Sequence, residues 1–311
     1  MEWVRGEVIG RGCFSTVNVA ATSSFDLIAV KSTHASDASC LRHEKYVLDC
    51  LGAHRNIIRC IGADVTTEKC KKHYNLLLEY AEGGTLADHM KKAGGKLGEK
   101  EVRNYTKQML KGLSHVHKMG FAHLDIKPAN LLLTETGEVK IADFGFAVRV
   151  DSEGRKSEFR GTPMYMAPES VNDSKYGASC DVWALGCSVL ELSTGRPVWS
   201  KKGVEENVMS LLLRIGNGEE LPDVPDEVSE AGKDFLSKCF VKNPMTRWTA
   251  DMLLSHPFVA DAEDVEPENI SPRCVYDFPD DWSSSSEANI IPAEVHATAV
   301  QRRVRELSTD R

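Results

Sequence analysis

A chain of 311 residues, 41% of them hydrophobic, can bury a sizeable core, so it is not disordered throughout and should hold one large domain or two lobes plus extras. Its nine cysteines are scattered, with no Cys-x-x-Cys pair and no histidine cluster at ligand spacing, which points away from a disulfide framework or zinc site and makes a reducing compartment, cytosol or nucleus, the expected one. The formal charge of -8 is uneven: residues 259–311 hold 12 acids and 5 arginines, a net of -7, which leaves the first 258 residues near neutral and without the strong basic field that nucleic acid binding favours. No apolar window reaches the length of a signal peptide at the start or of a membrane span later, so no membrane partner is expected.

In chain order, the first 80 residues carry strand-like runs, "VRGEVIG", "STVNVAA", "LIAVKS" and "YNLLLEY", with one helical pattern around Leu41, Glu44, Leu48 and Leu51. After Glu82-Gly83-Gly84 the period becomes mainly helical, as in "KEVRNYTKQMLKGLSHVHKMG", "DVWALGCSVLELSTG" and "EAGKDFLSKCF". This predicts an α+β protein: a small strand-rich lobe over 1–80, a connection at 81–84, and a helix-rich lobe over 85–258, with a cleft between the lobes. Residues 259–311 form a separate acidic tail whose "DFPDDWSSSSEAN" cannot bury enough apolar surface to offset its ordering entropy. Near its end Ala297, Val300, Val304 and Leu307 fall at helical spacing beside Arg302, Arg303 and Arg305. That pattern fits a surface helix or a docking element.

Chemistry enters at "IGRGCFSTV". Gly10 and Gly12 let backbone amides approach phosphates, Phe14 can cap the loop tip, and Ser15 stands where a third glycine is common. A plain hairpin explains such glycines equally well. The next strand, "LIAVK", adds Ala29, small enough to lie beside a base, and Lys31, an ammonium for phosphate oxygens, while Glu44 on the following helix can orient that ammonium. Further on, "HLDIKPAN" places Asp125, a carboxylate able to take a hydroxyl proton, five residues before Asn130, a neutral oxygen donor for a metal ion. Asp143 of "KIADFG" adds a second hard oxygen ligand. One Asp-containing turn is most simply an Asx motif. An ordered set of glycine loop, lysine, helix glutamate, Asp/Asn loop, second Asp and "GTPMYMAPE" is not.

From about Trp3 to Phe258 the chain resembles the eukaryotic protein kinases, and the resemblance implies a bilobal fold, ATP in the cleft and Mg²⁺. It makes Lys31 and Glu44 an ion pair, Asp125 the catalytic base, and Asn130 and Asp143 the metal ligands. Ile9, Gly10, Gly12, Phe14 and Ser15 would lie over the nucleotide, and Val17, Ala29 and Leu132 would sandwich the adenine. Leu78 would be the gatekeeper, and Glu79 to Ala81 the hinge. Leu48, His123 and Phe144 would stack as part of a spine, Glu169 would pair with Arg247, and Asp181 would brace the catalytic loop. Lys127 with Thr162 resembles the serine/threonine branch. "EGGTLADHM", "GTPMYMAPES" and the acidic tail look like a plant MAP kinase kinase kinase of the MEKK-like class, which would make MAP kinase kinases the substrates.

Leu124 departs from the commoner pattern. An arginine before the catalytic Asp binds a phosphate on the activation segment, and leucine has no donor, so the chain resembles the non-RD kinases. Phosphate on Ser152, Ser157 or Thr162 then lacks its usual anchor, although Arg149, Arg155, Lys156 and Arg160 lie in the same segment. Two classes remain open from sequence: an active kinase, and a kinase-fold scaffold that acts mainly by holding partners.

Overall fold

The computed structural model describes residues 2–12, 15–24, 26–150, 160–200, 207–217, 220–260 and 262. Phe14, Ser152, Ser157, Arg155, Lys156, the 297–307 pattern and nearly all of the 259–311 tail lie outside them.

The amino-terminal part is a five-stranded antiparallel sheet of β1 (Trp3–Arg11), β2 (Thr16–Thr22), β3 (Leu27–His34), β4 (Cys60–Glu68) and β5 (Lys71–Glu79), in the order β1-β2-β3-β5-β4. Helix α1 (Ser39–Leu51) follows β3. Its Leu41, Glu44, Val47, Leu48 and Leu51 are buried, and this single stripe turns the helix toward the sheet and the lower part of the molecule. The helix stops at Gly52, whose φ of 67° allows its N–H to return to Leu48 O at 3.1 Å.

Register assigns chemistry to one face. Val17 lies opposite Lys31, Lys31 opposite Leu76, and Ala29 opposite Leu78. Cross-strand partners share a face, so these side chains line the side that looks into the cleft. On the opposite face, a small apolar cluster of Ala20, Ile28, Val30 and Leu77 adjoins a polar network centred on fully buried Asn75. Asn75 bonds Arg5, Ser32, Asp64 and Thr66.

The four strand-like runs read from sequence correspond to β1, β2, β3 and β5. Strand β4 is an addition to that reading. Every residue of it is half-buried or exposed, as befits an edge strand, and "CIGADVTTE" has neither a continuous apolar run nor clean alternation to announce it.

A short β6 (Gly84–Thr85) leads into α2 (Leu86–Lys92), capped by Thr85 Oγ1 accepting from Asp88 N at 3.0 Å. Helix α3 (Glu99–Lys118) buries Val102, Met109, Leu113 and Val116 completely. The catalytic-loop region is framed by short strands β7 (Phe121–Ala122), β8 (Leu131–Leu133), β9 (Val139–Ile141) and β10 (Val148–Arg149), with β6-β8-β9 forming one sheet and β7-β10 another. Helices α4 (Pro168–Asp173), α5 (Ala178–Thr194), α6 (Val208–Asn217), α7 (Glu230–Cys239), α8 (Ala250–Leu254) and α9 (Pro257–Ala260) complete the larger part.

Helix α5 is the axis of that part. Trp183, Leu185, Cys187 and Leu192 point to different sides of it and all are fully buried, the mark of a helix inside a core. It also buries a carboxylate, Asp181, at 0% exposure. A charge so placed requires partners, and the catalytic loop supplies them. Among the described residues no helix is long and apolar enough to cross a membrane.

Candidate active site

The cleft brings together side chains that are far apart in sequence. Lys31 Nζ, from the inner face of β3, donates to Glu44 Oε2 at 2.7 Å and to Asp143 Oδ1 at 2.9 Å. The other oxygen of Glu44 accepts the Phe144 N–H at 3.3 Å, so one carboxylate ties strand, helix and the turn after Asp143. Burial alone would depress the Lys31 ammonium, but the carboxylates of Glu44 and Asp143 overcome it and hold its pKa above the ordinary lysine value. Burial likewise works against Asp143, yet the facing ammonium keeps its carboxyl below the usual range. Lys31 is thus a fixed cation aimed into the cleft.

Phe144 is fully buried and stands edge-on to His123, ring centroids 4.6 Å apart, with buried Leu48 in the same core cluster. His123 Nδ1 accepts the Asp125 N–H at 3.2 Å, so the proton sits on Nε2, which donates to Ala142 O at 3.1 Å. The imidazole therefore links the catalytic loop to the segment between β9 and Asp143.

Asp125 is 3% exposed and its oxygens are divided between two tasks. Oδ2 accepts from Lys127 Nζ at 2.8 Å and Asn130 Nδ2 at 2.7 Å, and Oδ1 accepts from the Thr162 hydroxyl at 2.7 Å. Lys127 Nζ also donates to Thr162 Oγ1 at 2.7 Å, closing a triangle. A carboxylate held by an ammonium and two neutral donors is fixed in direction, as a base for a hydroxyl proton must be.

Asn130 gives its nitrogen twice to Asp125, to Oδ2 and to the backbone carbonyl at 2.8 Å, which turns its amide oxygen into the group offered to a cation. The Asp143 side chain is 43% exposed, at a backbone φ of 66°. These two oxygen donors fit Mg²⁺, which is held by one or two protein ligands together with substrate phosphates and water rather than by an all-protein cage. Among the described residues there is no cluster of three or more His, Cys, Asp or Glu able to hold a metal by itself.

The remaining positions named from sequence fall around the same cleft. Ala29, Leu78 and Ala81 are buried, and Val17 and Leu132 are half-buried against the main core. Gly10 faces Val17 across β1 and β2; Ile9 is exposed beside it, and Ser15 O accepts the Gly12 N–H at 2.8 Å. Glu79 ends β5, with its carboxylate on the Arg59 N–H and on Lys140. In the larger part, Arg247 forks onto Glu169 at 2.6 and 3.0 Å.

Asp181 braces the catalytic loop through two consecutive amides: Oδ2 accepts from His123 N at 2.8 Å and Oδ1 from Leu124 N at 2.7 Å. Leu124 is held at φ 68°, a left-handed conformation that leucine adopts only under outside constraint, and the two bonds to Asp181 supply it. Its side chain is 8% exposed within the main core cluster. Leucine here is a packing residue where an arginine would be a phosphate receptor.

Three partners were not read from sequence. His117 Nε2 is the third donor to Asp181, at 2.9 Å, and Tyr165 donates its hydroxyl to the Glu191 carboxylate. Gly161 is the third. A Cβ there would lie 2.3 Å from Leu124 O, and its φ of 97° disfavours any side chain. Gly161→Ala should therefore push Thr162 away from Asp125, lowering kcat at least about tenfold and stability by about 1–3 kcal/mol. Steady-state kinetics with a thermal melt checks this, and wild-type kcat would refute it.

The protein kinase domain family matches residues 3–259. Among curated proteins, the chain is 56% identical over 308 residues to mitogen-activated protein kinase kinase kinase 20 of Arabidopsis thaliana, covering 91% of this chain and 89% of the relative. It is 42% identical to kinase kinase kinase 17 of the same plant, covering 86% and 72%, and 41% identical to kinase kinase kinase 18, covering 85% and 79%. With Lys31, Glu44, Asp125, Asn130 and Asp143 gathered in one cleft, the chain belongs to the protein kinase family, as a serine/threonine kinase of the plant MEKK-like group.

Proposed function

We propose that the protein transfers the γ-phosphoryl group of ATP, with Mg²⁺, to serine or threonine hydroxyls in the activation loops of MAP kinase kinases. The observation that carries the chemistry is the Asp125, Lys127 and Thr162 triangle, with all three distances at 2.7–2.8 Å. Asp125 accepts the hydroxyl proton, Lys127 offsets charge on the transferring phosphoryl, and Lys31 holds the nucleotide phosphates. Asn130 and Asp143 would hold Mg²⁺, which when bound neutralises phosphate charge. The substrate class rests on the names of the relatives.

The test is phosphorylation of a panel of catalytically dead MAP kinase kinases by the purified full chain, with Asp125→Asn as the blank. Label on activation-loop serine or threonine, located by mass spectrometry, is expected. Labelling of a generic substrate but of no panel member would remove the substrate assignment. No labelling of anything would favour the scaffold reading. We also place the protein in the cytosol or nucleus, where the seven free cysteines among the described residues would stay reduced, and imaging of a tagged chain tests that.

A further inference from the structure

Helix α1 sends three side chains, Cys40, His43 and Glu44, from one face onto three of the four residues after Asp143. Positions i, i+3 and i+4 share a helix face, so the grouping follows from helical geometry. Glu44 accepts the Phe144 N–H at 3.3 Å, Cys40 Sγ reaches Gly145 O at 3.7 Å, and His43 Nε2 donates to Ala147 O at 2.7 Å. A thiol is a weak donor and the Glu44 bond is long. The His43 bond is the short one.

Its acceptor is anchored to the other side of the cleft. Ala147 is fully buried, its N–H closes a turn to Phe144 O at 3.1 Å, and the next two residues, Val148 and Arg149, pair with Ala122 and Phe121. Ala122 is the residue immediately before His123. A pull on Ala147 O is therefore a pull on the strand that enters the catalytic loop, and His43 connects that strand to the helix whose next residue, Glu44, positions Lys31. The route passes through no residue of 151–159.

We propose that His43 is a positioning residue that clips α1 into its catalytic place, doing constitutively what a phosphate on the activation segment does in kinases that carry an arginine before the catalytic Asp. Two observations meet here. Leu124 is packed in the core and has no donor for a phosphate. His43 ties α1 to Ala147, beside the strand pair that leads into that catalytic loop, by a hydrogen bond that needs no modification. Without the clip, α1 is free to swing and take Glu44 from Lys31, so the fraction of molecules with an assembled site falls. The inference rests on the protein being an active kinase, and the experiment below separates the two.

The full chain is compared as wild type, His43→Leu, which has no donor, and His43→Gln, whose amide nitrogen has similar reach to Nε2. Each is assayed on a generic serine/threonine substrate before and after phosphatase treatment, and hydrogen exchange is followed over residues 39–51. Wild type should keep its rate within about twofold after phosphatase, His43→Leu should lose about tenfold or more in kcat with peptide KM little changed, and His43→Gln should recover most of the loss. Exchange in α1 should quicken in His43→Leu and return in His43→Gln. Equal rates and exchange in wild type and His43→Leu would overturn the proposal, as would a glutamine variant no better than the leucine one or a wild type that phosphatase silences. Should His43→Leu not fold, His43→Met takes its place with the same expectations. An inactive wild type showing the expected exchange pattern would fault the activity and leave the clip standing.

Discussion

Lys31→Met and Asp143→Asn should each reduce phosphoryl transfer by about three orders of magnitude or more while the protein stays folded. Both remove charge at the point where phosphate charge must be balanced in the transition state, and such interactions are among the largest single contributions to catalysis. Asparagine at 143 keeps the shape of the carboxylate, so Lys31 retains an oxygen partner and the turn at φ 66° is preserved. Methionine at 31 keeps the apolar stem but leaves Glu44, fully buried, without its ammonium. That variant survives because Glu44 can take up a proton: burial already pushes its carboxyl above the ordinary value, and loss of Lys31 pushes it further.

The sign of the pH dependence follows. In Lys31→Met the folded state binds the Glu44 proton more tightly than the unfolded chain does. The Glu44 contribution to stability is therefore fully present at low pH and declines as pH rises from the unfolded glutamate value, about 4.3, through the raised folded one. Melting temperatures at pH 5.5 and 8 should differ more for this variant than for wild type, with the lower pH favoured. Wild-type activity in either variant, with a folded circular dichroism spectrum, would sink the assignment of the site.

Much of this cleft is readable from the chain because its parts are short motifs in a fixed order. The lysine ends an apolar strand, its glutamate sits on the buried stripe of the next helix, and Asp125 and Asn130 share one loop. What is not readable is whatever depends on a partner with no local signature. His117 lies on α3 among residues that look like any helix terminus, and only the fold brings it to Asp181, 64 positions away. His43 adjoins the recognised Glu44, but its acceptor is a backbone carbonyl, and carbonyls have no letter in the sequence. Strand β4 is missed for the opposite reason: as an edge strand it buries too little on either face to impose a pattern.

The Glu169–Arg247 pair lies between these cases, since the two residues are 78 positions apart and only resemblance to a family connects them. Its geometry makes it the most consequential contact outside the cleft. The Arg247 side chain is 0% exposed, forks onto both oxygens of Glu169, and gives further hydrogen bonds to Ser179 O at 2.7 Å and Val241 O at 2.8 Å, with Trp183 beneath it at 5.1 Å. Removing one partner of such a pair strands the other, so Arg247→Met should cost about 3–5 kcal/mol, and Glu169→Gln less because the amide oxygen still accepts one bond. At roughly 2–4 °C per kcal/mol for a domain of this size, the arginine variant should melt about 6–20 °C below wild type. Lysine at 247 should rescue little, because a point charge cannot make both forks and reach two carbonyls. Activity should fall beyond what lost folded protein explains, since Glu169 lies in the first turn of α4, directly after the stretch that carries Thr162 and Tyr165. Thermal melts and kcat per folded molecule check both parts, and an Arg247→Met protein that melts with wild type would show that the pair is dispensable.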